Sequence, residues 1–317
     1  MKVSTEWLSI CGGCHVSIID LHEKIFNIFE SVEILHSPPL TDIRGYPEAD
    51  IGIISGAIRS SLDRKHANAM RESCKEIIAF GTCAVFGGIS GSGIVHSREE
   101  ILNTVYINSP STENIGNNLP SPETDFPEME ETVVPLDNAI KVDRYLTGCP
   151  PHPRYIRSTL RSLIEEQQTE DNYQTVCARC NRKMVKSEEP RLKRFTEGIP
   201  DDSLCFLSQG YLCFGPVTLE RCRMACPNHG MVCTGCSGPS LNILKEPNRD
   251  IRTELAKLIS KFTHIKEKQA IEEIEKFSKT HYAYAMASDM IRNKPTFLID
   301  KWIKRLEEES GGENNSY

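Results

Sequence analysis

The chain carries no surplus of positive charge: 37 Lys and Arg stand against 44 Asp and Glu, a net charge of −7 over 317 residues. A nucleic-acid partner, whose phosphates call for a basic face, is therefore not expected. Residues 1–15 lack a basic run followed by an apolar stretch, and no segment approaches the ~20 apolar residues that a spanning helix needs. The expectation is a protein without secretory signal or membrane span that stays in the cytoplasm. No internal repeat is present. Cysteine in a reducing compartment is more often a metal ligand than half of a disulfide, and a chain of this length needs no disulfide staples.

Cysteine itself is not scarce, and its distribution is the strongest signal. Of 13 cysteines, all but Cys74 sort into groups of four. The first group is dispersed: Cys11 and Cys14 in CGGC, Cys83 in GTCA, Cys149 in GCPPHP. The other eight, Cys177, Cys180, Cys205, Cys213, Cys222, Cys226, Cys233 and Cys236, crowd into one segment. Four thiolates are the ligand set of a 4Fe–4S cluster or of a structural zinc.

Residues 1–165 read as alternating strands and helices. Strand candidates are Val3–Leu8, Val32–Leu35, Ile51–Ile54, Glu76–Phe80 and Lys141–Leu146. Ile18, Leu21, Ile25 and Ile28 fall on one face of an amphipathic helix; residues 62–74, carrying Cys74 as a core thiol, and about 155–166 read as further helices. Alternation of this kind predicts an α/β domain with a doubly wound parallel sheet, whose ligands gather at the carboxyl ends of the strands. Each cysteine of the dispersed group follows a strand candidate, so the four can converge. Residues 107–135 read as one long loop, open to partner contact or plain mobility, with an acidic run at Glu123–Glu131 as a solvated face.

Over residues 166–245 apolar periodicity fades while cysteine density rises, the mark of an irregular domain that folds around metal rather than around a core. From residue 246 a helical extension follows. Leu255, Leu258, Ile259 and Phe262 form one face; Phe297, Ile299, Trp302 and Leu306 suggest a last helix; Gly311–Tyr317 reads as a loose tail.

CxxC pairs alone do not separate zinc from iron. Iron–sulfur is favoured by Cys83 and Cys149, isolated ligands on separate strand ends where a zinc site is usually local. It is favoured also by Pro after Cys149 and Cys226, as in ferredoxin-type runs. Three metal sites in series make sense as a relay. A non-enzymatic scaffold holding three zincs is the rival reading. A thioredoxin-like dithiol at CGGC fits the strand–helix context but leaves the other cysteines unexplained.

The set CGGCH (11–15), GTCAVFGG (81–88), GCPPHP (148–153), Cys205, CFGPVT from Cys213, Cys222 and CTGC (233–236) resembles the small subunit of nickel–iron hydrogenases over nearly the whole chain to about residue 240. The resemblance implies a flavodoxin-like fold for residues 1–165. It implies a proximal 4Fe–4S cluster on Cys11, Cys14, Cys83 and Cys149, a medial one on Cys222, Cys226, Cys233 and Cys236, and a distal one on Cys177, Cys180, Cys205 and Cys213. The division of the outer eight rests on the resemblance, since spacing does not divide them. Membrane-associated members have His where this chain has Cys177, and often a three-iron medial cluster with Pro replacing the ligand that Cys226 supplies here. Both departures, with the missing export signal, point to the cytoplasmic members.

The stretches ERCRMACPNHGMVCTGCSGPS and DDSLCFLSQGYLC are most similar to the methyl-viologen-reducing type. That similarity implies a nickel–iron large subunit, an iron–sulfur delta subunit and a flavin-bifurcating heterodisulfide reductase as partners, in the setting of methanogenesis. The deazaflavin-coenzyme-reducing type, also with three four-iron clusters, is the nearest alternative. Hydrogen chemistry would belong to the partner's nickel–iron centre, since no other residue set here would hold nickel. Gly12, Gly13, Gly81, Gly148 and Gly235 flank ligands and let backbone N–H groups approach cluster sulfur. His15, beside Cys14, is open to a hydrogen bond to cluster or partner or to a cap or surface role. His152 reads as an interface or surface residue rather than a ligand. His229 is expected to pack or hydrogen-bond, ligating only if Cys226 does not.

Overall fold

Five parallel strands form the frame of the N-terminal half in a computed structural model that describes residues 1–113, 116, 118–121, 126–165, 173–276 and 284–294. The strands are β1 (Lys2–Trp7), β2 (Glu33–His36), β3 (Ala49–Ser55), β5 (Cys74–Phe80) and β7 (Arg144–Leu146), in the order β2-β1-β3-β5-β7. Counted within the sheet this is 2-1-3-4-5, the flavodoxin-like doubly wound order expected from the sequence. The central strands read as apolar runs because both faces are covered. Ile51, Ile53, Ile54, Ile77, Ile78 and Phe80 are all buried.

Helices α1 (Gly13–Ile19), α2 (Lys24–Phe29), α3 (Ser61–Ser73), α4 (Thr82–Phe86), α5 (Arg98–Tyr106) and α6 (Pro153–Ile164) connect and flank the strands. The expected single helix through Ile18–Ile28 is two short ones. His22, with φ 51, takes the left-handed conformation between them and interrupts the ladder. The apolar face survives the break: Leu21 and Ile28 are buried, with Ile18 and Ile25 packed against them. Helix α3 is started by a capping box in which the Ser60 hydroxyl accepts from the Asp63 N–H and the Asp63 carboxylate accepts from the Ser60 N–H.

Cys74 is not helical but opens β5. It is buried, and a side chain at Gly52 on the neighbouring strand would press on its sulfur and on Ile77, so it serves the core as expected.

The expected loop at 107–135 contains a strand. β6 (Met129–Val134) pairs antiparallel with β4 (Ile58–Ser60) in a separate ribbon. The described part of the acidic run faces solvent at Glu128 and Glu131, as expected, and its carboxylates are also paired. Arg64 Nε lies 2.7 Å from Glu130, and Arg98 reaches Glu128 at 2.9 Å and Glu131 at 3.4 Å. The hydrogen bond from Arg64 holds the Glu130 carboxyl below the ordinary glutamate range.

The cysteine-rich half does build a core, contrary to the fading periodicity. It has little regular structure beyond α7 (Val176–Arg179), α8 (Ala225–Asn228) and α9 (Leu241–Lys245). Nevertheless Val176, Leu192, Phe206, Leu207, Tyr211, Phe214 and Val217 are buried and join one apolar cluster with Ile54, Met70 and Ile77 of the sheet domain. Helices α10 (Ile251–Phe262) and α11 (Glu267–Lys276) close that cluster with Leu255, Ile259, Ala270 and Ile274. A sequence without period still buries apolar residues when loops, rather than helices, present them. The last helix expected through Phe297–Leu306 and the tail lie outside the described residues.

Thr82 joins the two halves. Its hydroxyl donates to the Cys236 carbonyl at 2.7 Å and accepts from the Gly148 N–H at 2.9 Å. Thr82→Val keeps the shape but strands both partners, so it is expected to cost about 1–3 kcal/mol of stability in urea unfolding of the purified chain. A change below a few tenths would show that the junction is held elsewhere.

Candidate metal centres

The sheet delivers the dispersed cysteines to one edge. β1 runs into the loop bearing Cys11, and Cys14 stands in the first turn of α1. β5 runs through Gly81 into α4, which carries Cys83, and β7 runs into Gly148–Cys149. The loops are tied across the strand ends: Gly81 N–H donates to Leu146 O at 2.7 Å and Thr82 N–H to Gly148 O at 2.9 Å. The Ser17 hydroxyl of α1 donates to the Pro151 carbonyl. Burial first, then the neighbouring Cys83, Cys149 and Cys11, pushes the Cys14 thiol up to about 12. Burial, then Cys83, Cys236 and Cys11, does the same to Cys149. Two glycines make room. At Gly81 (φ 88) an added Cβ would strike Cys14 Sγ, and at Gly88 (φ 57) it would strike Cys83 Sγ.

The other eight thiols continue this group in a line. Cys236 feels Cys222 and Cys226, and the backbone N–H of Cys149 is directed at its sulfur. Cys233 feels both Cys213 and Cys236. Its N–H donates to Cys213 Sγ at 3.4 Å. Cys177 is pushed up to about 12 by burial and then by Cys205, Cys213 and Cys180. Those four line one cavity with Val176, Arg182, Phe206 and Leu207 among its walls. The sets assigned from the resemblance thus face one another within each set. The Cys222 group lies between, in touch with the sheet-edge group through Cys236 and with the Cys177 group through Cys233.

Four thiolates can hold either a single ion or a multinuclear cluster. A zinc at about 2.3 Å from each sulfur draws four thiolates tightly round one point. Among the described residues, no three His, Cys, Asp or Glu side chains converge in that way. Burial and neighbouring thiols raise the pKa of Cys14, Cys83, Cys149, Cys177, Cys213, Cys226, Cys233 and Cys236; a bound metal centre reverses such a shift by holding its ligands as thiolates.

The histidines beside the ligands each have a protein partner. His15 packs edge-on against Trp7, with ring centroids 5.0 Å apart, and its Nδ1 lies 3.4 Å from Ser55 Oγ. His152 caps α6 by accepting from the Arg154 N–H, and His229 Nδ1 pairs with the Ala225 carbonyl at 2.8 Å. Four residues of consequence escaped the sequence reading. Thr82 forms the junction. Glu6, buried on β1, is met by Tyr46, by His36 at 3.3 Å and by His66 at 3.4 Å. Burial and Glu6 push the Tyr46 phenol up. Arg182 and Glu220 are buried charges beside the outer and middle groups. Nothing in spacing marks them; only contact does.

Comparison with known proteins supplies the chain's relatives. The family model for the NADH ubiquinone oxidoreductase 20 Kd subunit matches residues 11–163. An iron–sulfur subunit of the F420-non-reducing hydrogenase of Archaeoglobus profundus is 34% identical over 93% of this chain and 98% of its own length. A vhu subunit of the F420-non-reducing hydrogenase of Methanocaldococcus jannaschii is 39% identical over 75% of this chain and 82% of its own. Among solved structures, a chain of an NAD+-reducing [NiFe]-hydrogenase in the H2-reduced state superposes with a TM-score of 0.52 at 29% identity, covering 55% of this chain and 96% of that one. Fold, cysteine constellation and near full-length similarity together place the chain in the family of iron–sulfur subunits of F420-non-reducing hydrogenases, members of oxidoreductase complexes.

Proposed function

We propose that the chain is the electron-transfer small subunit of a nickel–iron hydrogenase and holds three 4Fe–4S clusters. The proximal cluster takes Cys11, Cys14, Cys83 and Cys149, the medial one Cys222, Cys226, Cys233 and Cys236, and the distal one Cys177, Cys180, Cys205 and Cys213. The observation that carries this reading is the serial contact of the three sets, through Cys149 with Cys236 and through Cys233 with Cys213. Bound clusters of this kind supply one-electron uptake and release.

The chain's own residues fix where those electrons can go. The strand ends hold the proximal set at one edge of the sheet, beside the large subunit whose nickel–iron centre splits hydrogen. Thr82 clamps the Cys236 loop against the Gly148 loop, so proximal and medial sets keep their spacing. Apolar walls at Val176, Phe206 and Leu207 exclude water around the distal set. From there electrons pass to an iron–sulfur delta subunit and a heterodisulfide reductase, in the cytoplasm. Among the described residues no helix is long and apolar enough to cross a membrane.

A multi-zinc scaffold is separated from this reading by metal analysis of the anaerobically purified complex. The expected result is about twelve irons per chain, four per cluster, with a nickel-containing large subunit co-purifying. About three zincs and no iron would overturn the proposal. Cys83→Ser or Cys149→Ser is expected to remove the proximal cluster and at least tenfold of hydrogen-driven dye reduction, whereas Cys74→Ala keeps full iron content. Full iron and full activity in either serine variant would refute the proximal assignment. Cys177→Ser is expected to slow delivery to the physiological acceptor several-fold more than hydrogen-isotope exchange; equal loss of both would contradict the order of the relay.

A further inference from the structure

Two charges are buried next to the outer two sets, and they have opposite sign. Among the described residues, Arg182 is the only Lys, Arg, Asp or Glu in the wall of the cavity formed by Cys177, Cys180, Cys205 and Cys213, and its side chain is 7% exposed. Its guanidinium stands 4.0 Å from the centre of the Phe206 ring. It donates to the carbonyls of Asp201 at 2.6 Å, Leu204 at 3.2 Å and Pro227 at 3.3 Å. The carboxylate of Asp202, at 3.6 Å, is 93% exposed, so solvent screens it. A guanidinium does not lose its proton in a protein, and its charge here is met mainly by neutral carbonyls.

Glu220 is the counterpart beside the Cys222 set. Its side chain is fully buried. It accepts from the backbone N–H of Cys222 at 3.2 Å, from that of Arg223, and from the Tyr155 hydroxyl at 3.0 Å. Arg179 approaches at 3.5 Å but is 47% exposed, and Arg221 lies over the Tyr155 ring at 5.4 Å. Two backbone N–H groups and a phenol hydroxyl thus converge on its two oxygens. By accepting the Cys222 N–H, Glu220 also withdraws a donor that could otherwise serve cluster sulfur.

We infer that Glu220 and Arg182 polarise the relay, lowering the reduction potential of the middle centre and raising that of the outer one, so that electrons are drawn outward. The inference rests on the cluster reading proposed above. Reduction adds negative charge to a centre. A buried cation beside it favours the reduced form and a buried anion disfavours it, the more so the less solvent screens them.

The test is a redox titration of the anaerobically purified complex, followed by electron paramagnetic resonance. Cys177→Ser identifies the outer signal by its change. Arg182→Met is expected to shift the outer centre's reduction equilibrium at least tenfold toward the oxidised form, about 59 mV for one electron. Arg182→Lys, which keeps the charge but not the fork of carbonyl bonds, should stay within threefold of the parent. Glu220→Gln should shift the middle centre at least tenfold toward the reduced form. If Arg182→Met fails to load its cluster, the Lys and Gln variants still decide. Unshifted potentials in the charge-removing variants that carry full iron would overturn the inference while leaving the cluster reading intact. A parent complex without iron would instead remove the reading itself.

Discussion

One hydroxyl governs how the two halves of this chain meet. Thr82 sits at the end of a central strand, 1% exposed, and its Oγ1 is shared between the Gly148 N–H and the Cys236 carbonyl. The same residue therefore positions two loops that carry thiols of different sets. Because both bonds belong to one rotamer, neither loop can shift without giving up a bond in a dry junction. The spacing of the first two metal sets is in this sense a property of the β5–α4 turn, which is in turn fixed by the register of the parallel sheet.

Beyond that junction the chain propagates its geometry through the cysteines themselves. Cys149 and Cys233 each offer a sulfur to one set and direct a backbone amide toward the sulfur of the next. The clamp and these amides together shorten the path between sets without any dedicated linker. A segment with little regular secondary structure can hold such a line because its apolar residues, Phe206, Leu207, Phe214 and Val217, merge with the core of the sheet domain.

The fold of the first half was legible because a buried parallel sheet writes itself as apolar runs such as EIIAF, and the cysteines of the dispersed group follow such runs. The sets were legible as residue types. What the sequence hid was local. The left-handed His22 breaks a helix whose apolar spacing is unbroken. The strand Met129–Val134 is masked by Glu130 and Glu131, whose partners Arg64 and Arg98 lie far off in sequence. The core of the cysteine-rich half has no period, because turns and not helices place its side chains. Buried charges such as Glu6, Arg182 and Glu220 look in sequence like any surface residue, and only their neighbours distinguish them.

The short edge strand β7 carries a consequence for assembly. It pairs with β5 through Arg144, Tyr145 and Leu146 alone, and it is the last strand of the sheet to arrive in chain order. Cys149 is held at the sheet edge by that pairing, whereas the outer two sets draw all their thiols from a single stretch of chain. The innermost site thus depends on three strands of the sheet, β1, β5 and β7. The site at the sheet edge is in this sense a product of strand register, and the outer two sets are products of one stretch of chain packed against that sheet.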